Sequence, residues 1–120
     1  SVSLKTPVNN LFLSNSIRLS VLGWAKALSD EVAKEGITVN SVCPGSTRTN
    51  RITSIYSEMV KQTGQSLQEV EDLSAQNIPM KRIGEPHELA ALVAFLASER
   101  ASYMTGLAIQ VDGGSARTYY

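Results

Sequence analysis

The sequence predicts an α/β architecture, half of a doubly wound three-layer sandwich with parallel strands. Three observations carry this. Apolar residues recur at helical spacing in four stretches, two short strand-like runs end in tight turns, and each run follows a helix rather than another strand. A strand entered from a helix, with a turn at its carboxyl end, suits a parallel sheet whose ligands bind beyond the strand ends.

Taken in order, residues 11–35 read as one long helix. Ile17, Val21, Ala25, Leu28 and Val32 recur every three or four positions, and Gly36 follows as a C-cap. Ile37-Thr38-Val39-Asn40-Ser41-Val42 then alternates β-branched and polar residues and stops at Pro44-Gly45, as a strand does before a turn. Two short helices are expected over 50–78. Ile52, Ile55, Met59 and Val60 mark the first, stopped by Gly64; Leu67, Val70 and Leu73 mark the second, opened by a Ser66/Glu69 capping box. Their narrow apolar faces and polar flanks predict a lid over a cleft. Pro86 opens a further helix whose buried stripe is expected to be Leu89, Leu92, Val93 and Leu96. Leu107-Ala108-Ile109-Gln110-Val111 reads as the last strand, closed by Asp112-Gly113-Gly114.

Composition narrows the function classes. At 120 residues, 42% hydrophobic and 18% charged, the chain has the make-up of one globular domain or a piece of one. Eleven basic residues balance eleven acidic ones, so no net field favours nucleic acid or an anionic membrane as a partner. The longest apolar run, Leu89 to Ala97, is too short to cross a bilayer, and a cytoplasmic location is the expectation. The single cysteine, Cys43, has no internal disulfide partner, which agrees with a reducing compartment. No His/Cys/carboxylate cluster has metal-ligand spacing, and Asp112-Gly113-Gly114 reads as a turn. His87, in the first turn of its helix, reads as structural.

In this order and spacing the segments resemble the short-chain dehydrogenase/reductase family. Gly36-Ile37-Thr38-Val39-Asn40-Ser41-Val42-Cys43-Pro44-Gly45, then Thr49, is similar to that family's sixth strand with its Pro-Gly turn and following Thr. Pro79-Met80-Lys81-Arg82-Ile83-Gly84-Glu85-Pro86-His87-Glu88-Leu89-Ala90, Tyr103-Met104-Thr105-Gly106 and Val111-Asp112-Gly113-Gly114 are similar to its closing segment. The resemblance implies a Rossmann-type domain, NAD or NADP as cofactor, and a small-molecule alcohol or carbonyl substrate. It also implies a homodimer or homotetramer built on the long helix and the Pro86 helix.

A register follows from the resemblance. Counted back from Gly23, the family's Lys falls on Arg18 and its Tyr on Ser14, while its catalytic Ser, thirteen positions earlier, falls on Ser1. Residues 1–120 are then the C-terminal part of a single Rossmann-type domain of roughly 250 residues, and the glycine-rich phosphate turn is expected upstream of Ser1. In the family a phenol gives or takes the substrate proton, its ordinary pKa of about 10 pulled down by the neighbouring cation. Positions i and i+4 share a helix face, so both groups reach one cleft.

Ser14 is a much weaker acid with a far shorter reach than a tyrosine. Arg18 can still donate to ribose hydroxyls. Ser1 is expected to polarise a substrate oxygen. Pro44, Gly45, Thr47 and Thr49, at the strand end, are expected to meet the cofactor, with Arg48 and Arg51 either adding charge toward phosphate or lying solvated. Tyr56 and Met59 are assigned to the substrate lid, where Val60 and Leu67 also point to a partly apolar pocket.

Two functions fit these residues. One is an NAD(P)-dependent oxidoreductase working with the altered Ser1, Ser14 and Arg18 set and a proton relayed by water or supplied by substrate. The other is a nucleotide-binding or structural subunit of the same fold without redox turnover. The lid and the Thr49 region favour the first, and the missing phenol favours the second.

Overall fold

The computed structural model describes residues 1–5, 7 and 9–118, Val2 through its backbone alone. After a 3-10 turn at Val2–Leu4, α1 runs over Phe12–Val32 and ends in a further 3-10 turn, Ala33–Glu35. Then come β1 (Ser41–Pro44), α2 (Asn50–Thr63), α3 (Leu67–Ala75), α4 (Pro86–Leu96), a 3-10 turn at Glu99–Ala101 and β2 (Ala108–Val111). The helix ends fall where their chemistry puts them. Gly36 and Gly64 take left-handed backbone (φ 73° and 72°), and their amides return to Ala33 and Val60. Ser66 and Glu69 form the expected capping box, whose bonds hold the Glu69 carboxyl below the usual range.

β1 and β2 pair in parallel, Ser41 with Ala108 through Pro44 with Val111. The first strand is shorter than the sequence pattern suggests. Over residues 37–40 one backbone bond remains, Gly106 N to Val39 O (2.7 Å), and side chains supply the others: Val39 N donates to Thr105 Oγ1 (3.0 Å), Asn40 Nδ2 to Met104 O (2.8 Å), and Leu107 N to Asn40 Oδ1 (3.2 Å). Strand alternation then sorts the helices onto two faces. Thr38, Asn40 and Val42 face Val93, Leu96 and Ala97 of the α4 region, while Cys43, fully buried, meets the turn that begins at Ser1.

The long helix touches the body through small residues. Ala25 and Ser29 are its buried positions, and a Cβ on Gly106 would lie 2.7 Å from Ser29 Oγ, so helix and turn approach within van der Waals range. The expected stripe is met only in part. Leu28 and Val32 are half-buried, but Ile17 and Val21 are 53% and 55% exposed because no described element covers the first turns of that face. On α4, Leu89, Leu92 and Leu96 are half-buried and Val93 is exposed. The consequence shows in the shape: the radius of gyration is 16.7 Å, against about 13.6 Å for a compact chain of this length. The accessible surface is 8514 Å², against about 6,300 Å² for a compact monomer of this mass. This is the form of a half-sandwich.

The best-packed apolar cluster lies in the α2–α3 excursion, the segment expected from the sequence to act as a lid. Tyr56 of α2, Val70 of α3, and Ile78 and Ile83 of the segment leaving it are buried together, with Ile52, Met59 and Val60 against them. Two ion-pair clamps hold the lid's links. Arg48 donates to both carboxylate oxygens of Glu71 and, through Nε, to Glu85 at 2.9 Å. Arg82 forms a two-pronged pair with Glu88 at 2.6 and 2.8 Å. Among the described residues, no helix is long and apolar enough to cross a membrane.

Two tests follow from this packing. A Cβ on Gly45 would stand 2.7 Å from both Cα and Cβ of Asp112. Gly45→Ala therefore destabilises the fold by about 1–3 kcal/mol in urea unfolding, because the obstacle includes backbone. Arg82, followed by the Glu85 amide, holds the Glu88 carboxyl down at about 2 from 4.5. A depressed carboxylate stabilises the folded state fully above its unfolded value and loses that contribution as pH falls through its folded value. Unfolding midpoints measured between those two values thus decline with acid, and Glu88→Gln flattens that part of the profile.

Candidate active site

A small cleft of about 100 Å³ opens beyond the carboxyl ends of both strands. Ser46 and Thr47 reach it from the link that follows β1, Met80, Arg82 and Gly84 from the link that leaves the lid, and Asp112 and Gly113 from the turn after β2. This is where a parallel α/β sheet leaves room for a ligand. The two links are tied to one another: Thr47 and Gly84 form a parallel bridge, with Arg48 N donating to Gly84 O (2.8 Å) and Gly84 N to Ser46 O (2.9 Å).

Gly45 precedes the cleft-lining Ser46 and packs against Asp112. Its amide donates to Val111 O at 2.9 Å, carrying the ladder one residue past Pro44. Asp112 uses its carboxylate on its own turn, accepting from Gly114 N (2.9 Å) and Ala116 N (2.8 Å), as the reading of Asp112-Gly113-Gly114 as a turn requires. Thr47 Oγ1 donates to Gly45 O at 3.3 Å. Thr49 is the extended N-cap of α2, and its exposed side chain makes no capping bond, which leaves that hydroxyl available at the rim. Among the described residues no group of three or more His, Cys, Asp or Glu could hold a metal ion.

The Ser14 and Arg18 pair forms a unit of its own. One turn apart on α1, they join through Arg18 Nε donating to Ser14 Oγ at 3.0 Å, with Ser14 half-buried and Arg18 exposed. Ser1 lies on the same side of the sheet. Its backbone nitrogen lies beside Cys43. Its hydroxyl accepts from Ser3 Oγ at 3.0 Å. None of Ser1, Ser14 and Arg18 lines the cleft that Thr47 lines.

Tyr56 and Met59 sit differently from a pair of substrate-facing lid residues. Tyr56 is 6% exposed inside the lid's cluster, with Met59 packed against that cluster and Leu67 48% exposed. Arg48, considered for phosphate, spends its guanidinium on Glu71 and Glu85. Sequence reasoning missed these clamps, and with them Arg82 and Glu88 as part of the cleft wall. The signal for the Arg82 pair was within reach, since the partners stand six residues apart; Arg48 and Glu71, 23 apart, meet only through the fold.

A profile of the family described as enoyl-(acyl carrier protein) reductase matches residues 3–116. The NADPH-dependent reductase BacG of Bacillus subtilis is 40% identical over 114 residues, which cover 95% of this chain and 44% of BacG. The 3-oxoacyl-(acyl-carrier-protein) reductase FabG of Buchnera aphidicola is 46% identical over 94 residues, 78% of this chain and 34% of that protein. Among solved structures, L-sorbose reductase from Gluconobacter frateurii complexed with NADPH and L-sorbose superposes with a TM-score of 0.93 at 33% identity, over 98% of this chain and 45% of that one. The chain spans less than half the length of these relatives. Because the profile runs unbroken from the first turn through both strands and the lid, this chain belongs to the short-chain dehydrogenase/reductase family.

Proposed function

We propose that the full-length protein is an NAD(P)-dependent oxidoreductase that interconverts a small-molecule alcohol and its carbonyl compound. The observation that carries this reading is the family match over residues 3–116, with Ser14 and Arg18 joined at the helix positions where the resemblance calls for its proton-handling pair. Further support comes from relatives named as an NADPH-dependent reductase and a 3-oxoacyl-(acyl-carrier-protein) reductase.

The residues suit a dinucleotide. Arg18 spends Nε on Ser14 and keeps its two terminal nitrogens for ribose hydroxyls. Thr49 offers a hydroxyl, and Thr47 with Pro44 and Gly45 supplies the strand-end turn where a carboxamide is received. When bound, the nicotinamide supplies or takes up a hydride. This chain's own part is to orient and polarise. Ser14 accepts from a cation, so its O–H is free to donate to the substrate oxygen, and that bond strengthens as negative charge grows there. Ser1 is a second donor candidate on the same side. The net proton comes through water, since neither an aliphatic hydroxyl nor a guanidinium gives one up readily near neutrality.

A second reading, a nucleotide-binding or structural subunit without turnover, is favoured by one observation: Tyr56 is enclosed in the lid and Tyr103 lies wholly on the surface, so neither phenol stands with Arg18. We place the protein in the cytoplasm as a homodimer or homotetramer. The exposed Phe12, Ile17, Val21 and Trp24 of α1 support the latter, as apolar area that a subunit contact would cover.

The test uses the full-length protein with a panel of ketones and alcohols, read by cofactor absorbance. Cofactor-linked turnover is expected. Arg18→Ala weakens NAD(P)H binding about tenfold by calorimetry, and Ser14→Ala lowers kcat more than it changes KM. Tight nucleotide binding with no turnover on any substrate would replace this reading with the second. Light scattering is expected to give at least twice the subunit mass.

A further inference from the structure

The lid is a packed unit on two short links. Tyr56, Val70, Ile78 and Ile83 close its own core, so α2, α3 and the residues through Ile83 hold together. The chain enters this unit over residues 46–49 and leaves it at 84–85, where the Thr47 and Gly84 bridge joins the two crossings. Arg48 stands on the entry crossing. Its backbone amide is fixed to Gly84 O at 2.8 Å, and its side chain spans from Glu71 in α3 to Glu85 at the start of α4. One guanidinium thus links the hinge, the lid and the body.

We propose that Arg48 is a latch that sets the lid's position relative to the strand-end cleft, so that the lid swings by parting Arg48 from Glu71 while its own core stays packed. Isolated surface ion pairs are weak, but three features distinguish this one. The contact to Glu71 is two-pronged, the same guanidinium serves Glu85, and the Glu71 side chain is only 18% exposed. A carboxylate so covered loses more than a solvated one when its cation leaves, which biases the lid toward the closed position. Glu85 holds the body side of the same grip.

The experiment is hydrogen exchange on the full-length protein, comparing Arg48→Ala, Glu71→Gln and Arg48→Lys. Amides of Leu67–Ala75 are expected to exchange about tenfold faster in the first two, with Ala108–Val111 unchanged. Lysine, which cannot grip two carboxylates in a fork, restores part of the protection. Raising salt to about 1 M, where charges are screened beyond about 3 Å, moves the unmodified protein the same way and serves if Arg48→Ala does not fold. The kinetic arm rests on the oxidoreductase reading: Arg48→Ala raises substrate KM about fivefold with kcat within about twofold. Exchange across Leu67–Ala75 within about twofold of the unmodified protein, or faster exchange spread evenly over both regions, would overturn the latch. Should no substrate turn over, the exchange result still decides the latch while the functional reading fails on its own.

Discussion

The close approach of Gly45 to Asp112 governs how the rest of this chain can be arranged. Four parallel residue pairs join strands whose partners lie 67 positions apart (41 to 108), and the pairing continues through Gly45 N to Val111 O. A parallel ladder needs a crossover, and here the crossover contains the lid, both links and α4. If the strand ends were pushed apart at Gly45, the turn after β2 would move away from the links, and the cleft between them would lose its floor. Site and sheet are one construction.

The forces are distributed unevenly. The sheet and its helices are half-covered, with α4 keeping no fully buried side chain, whereas the lid has its own enclosed cluster. Such a lid differs from a flexible loop that orders only around a ligand. Its internal contacts are apolar and its own, whereas at its links Arg48 and Arg82 bring charge to carboxylates that the surrounding chain partly covers. Apolar packing gives the lid its shape, and ion pairs give it its place.

How much could be read from the residues depended on how local each cause was. Gly36, Gly64, the Ser66/Glu69 box and Pro86 act within one helical turn, and they marked the helix ends well. The first strand was overestimated because Thr105 bonds Val39 N and Asn40 bonds Met104 O across more than sixty positions, so that side chains take bonds that a ladder would have used. Ile17 and Val21 have the period of a buried face, yet burial needs something to bury against, and periodicity cannot report that. Tyr56 shows the same limit in the opposite direction. It was expected to face substrate from the lid, but whether a side chain of α2 looks into a cleft or into a neighbouring helix depends on how α2 and α3 cross.

The Ser14–Arg18 pair brings these threads to the chemistry. A helix turn alone explains why the two meet, so their contact is no evidence of strain or special construction. What matters is the direction of the bond. Because the guanidinium donates, the serine oxygen is the acceptor, and the remaining hydroxyl hydrogen has no claim on it from Arg18. A phenol beside an amine combines acid and electrostatic support in two groups that both titrate in an accessible range. A serine beside a guanidinium keeps the support and the hydrogen bond, but neither group yields a proton easily. Any turnover at such a pair must therefore separate polarisation, which Ser14 and Arg18 can provide, from net proton transfer, which water must carry. The demands on the site shift accordingly, from tuning an acid to admitting a solvent path.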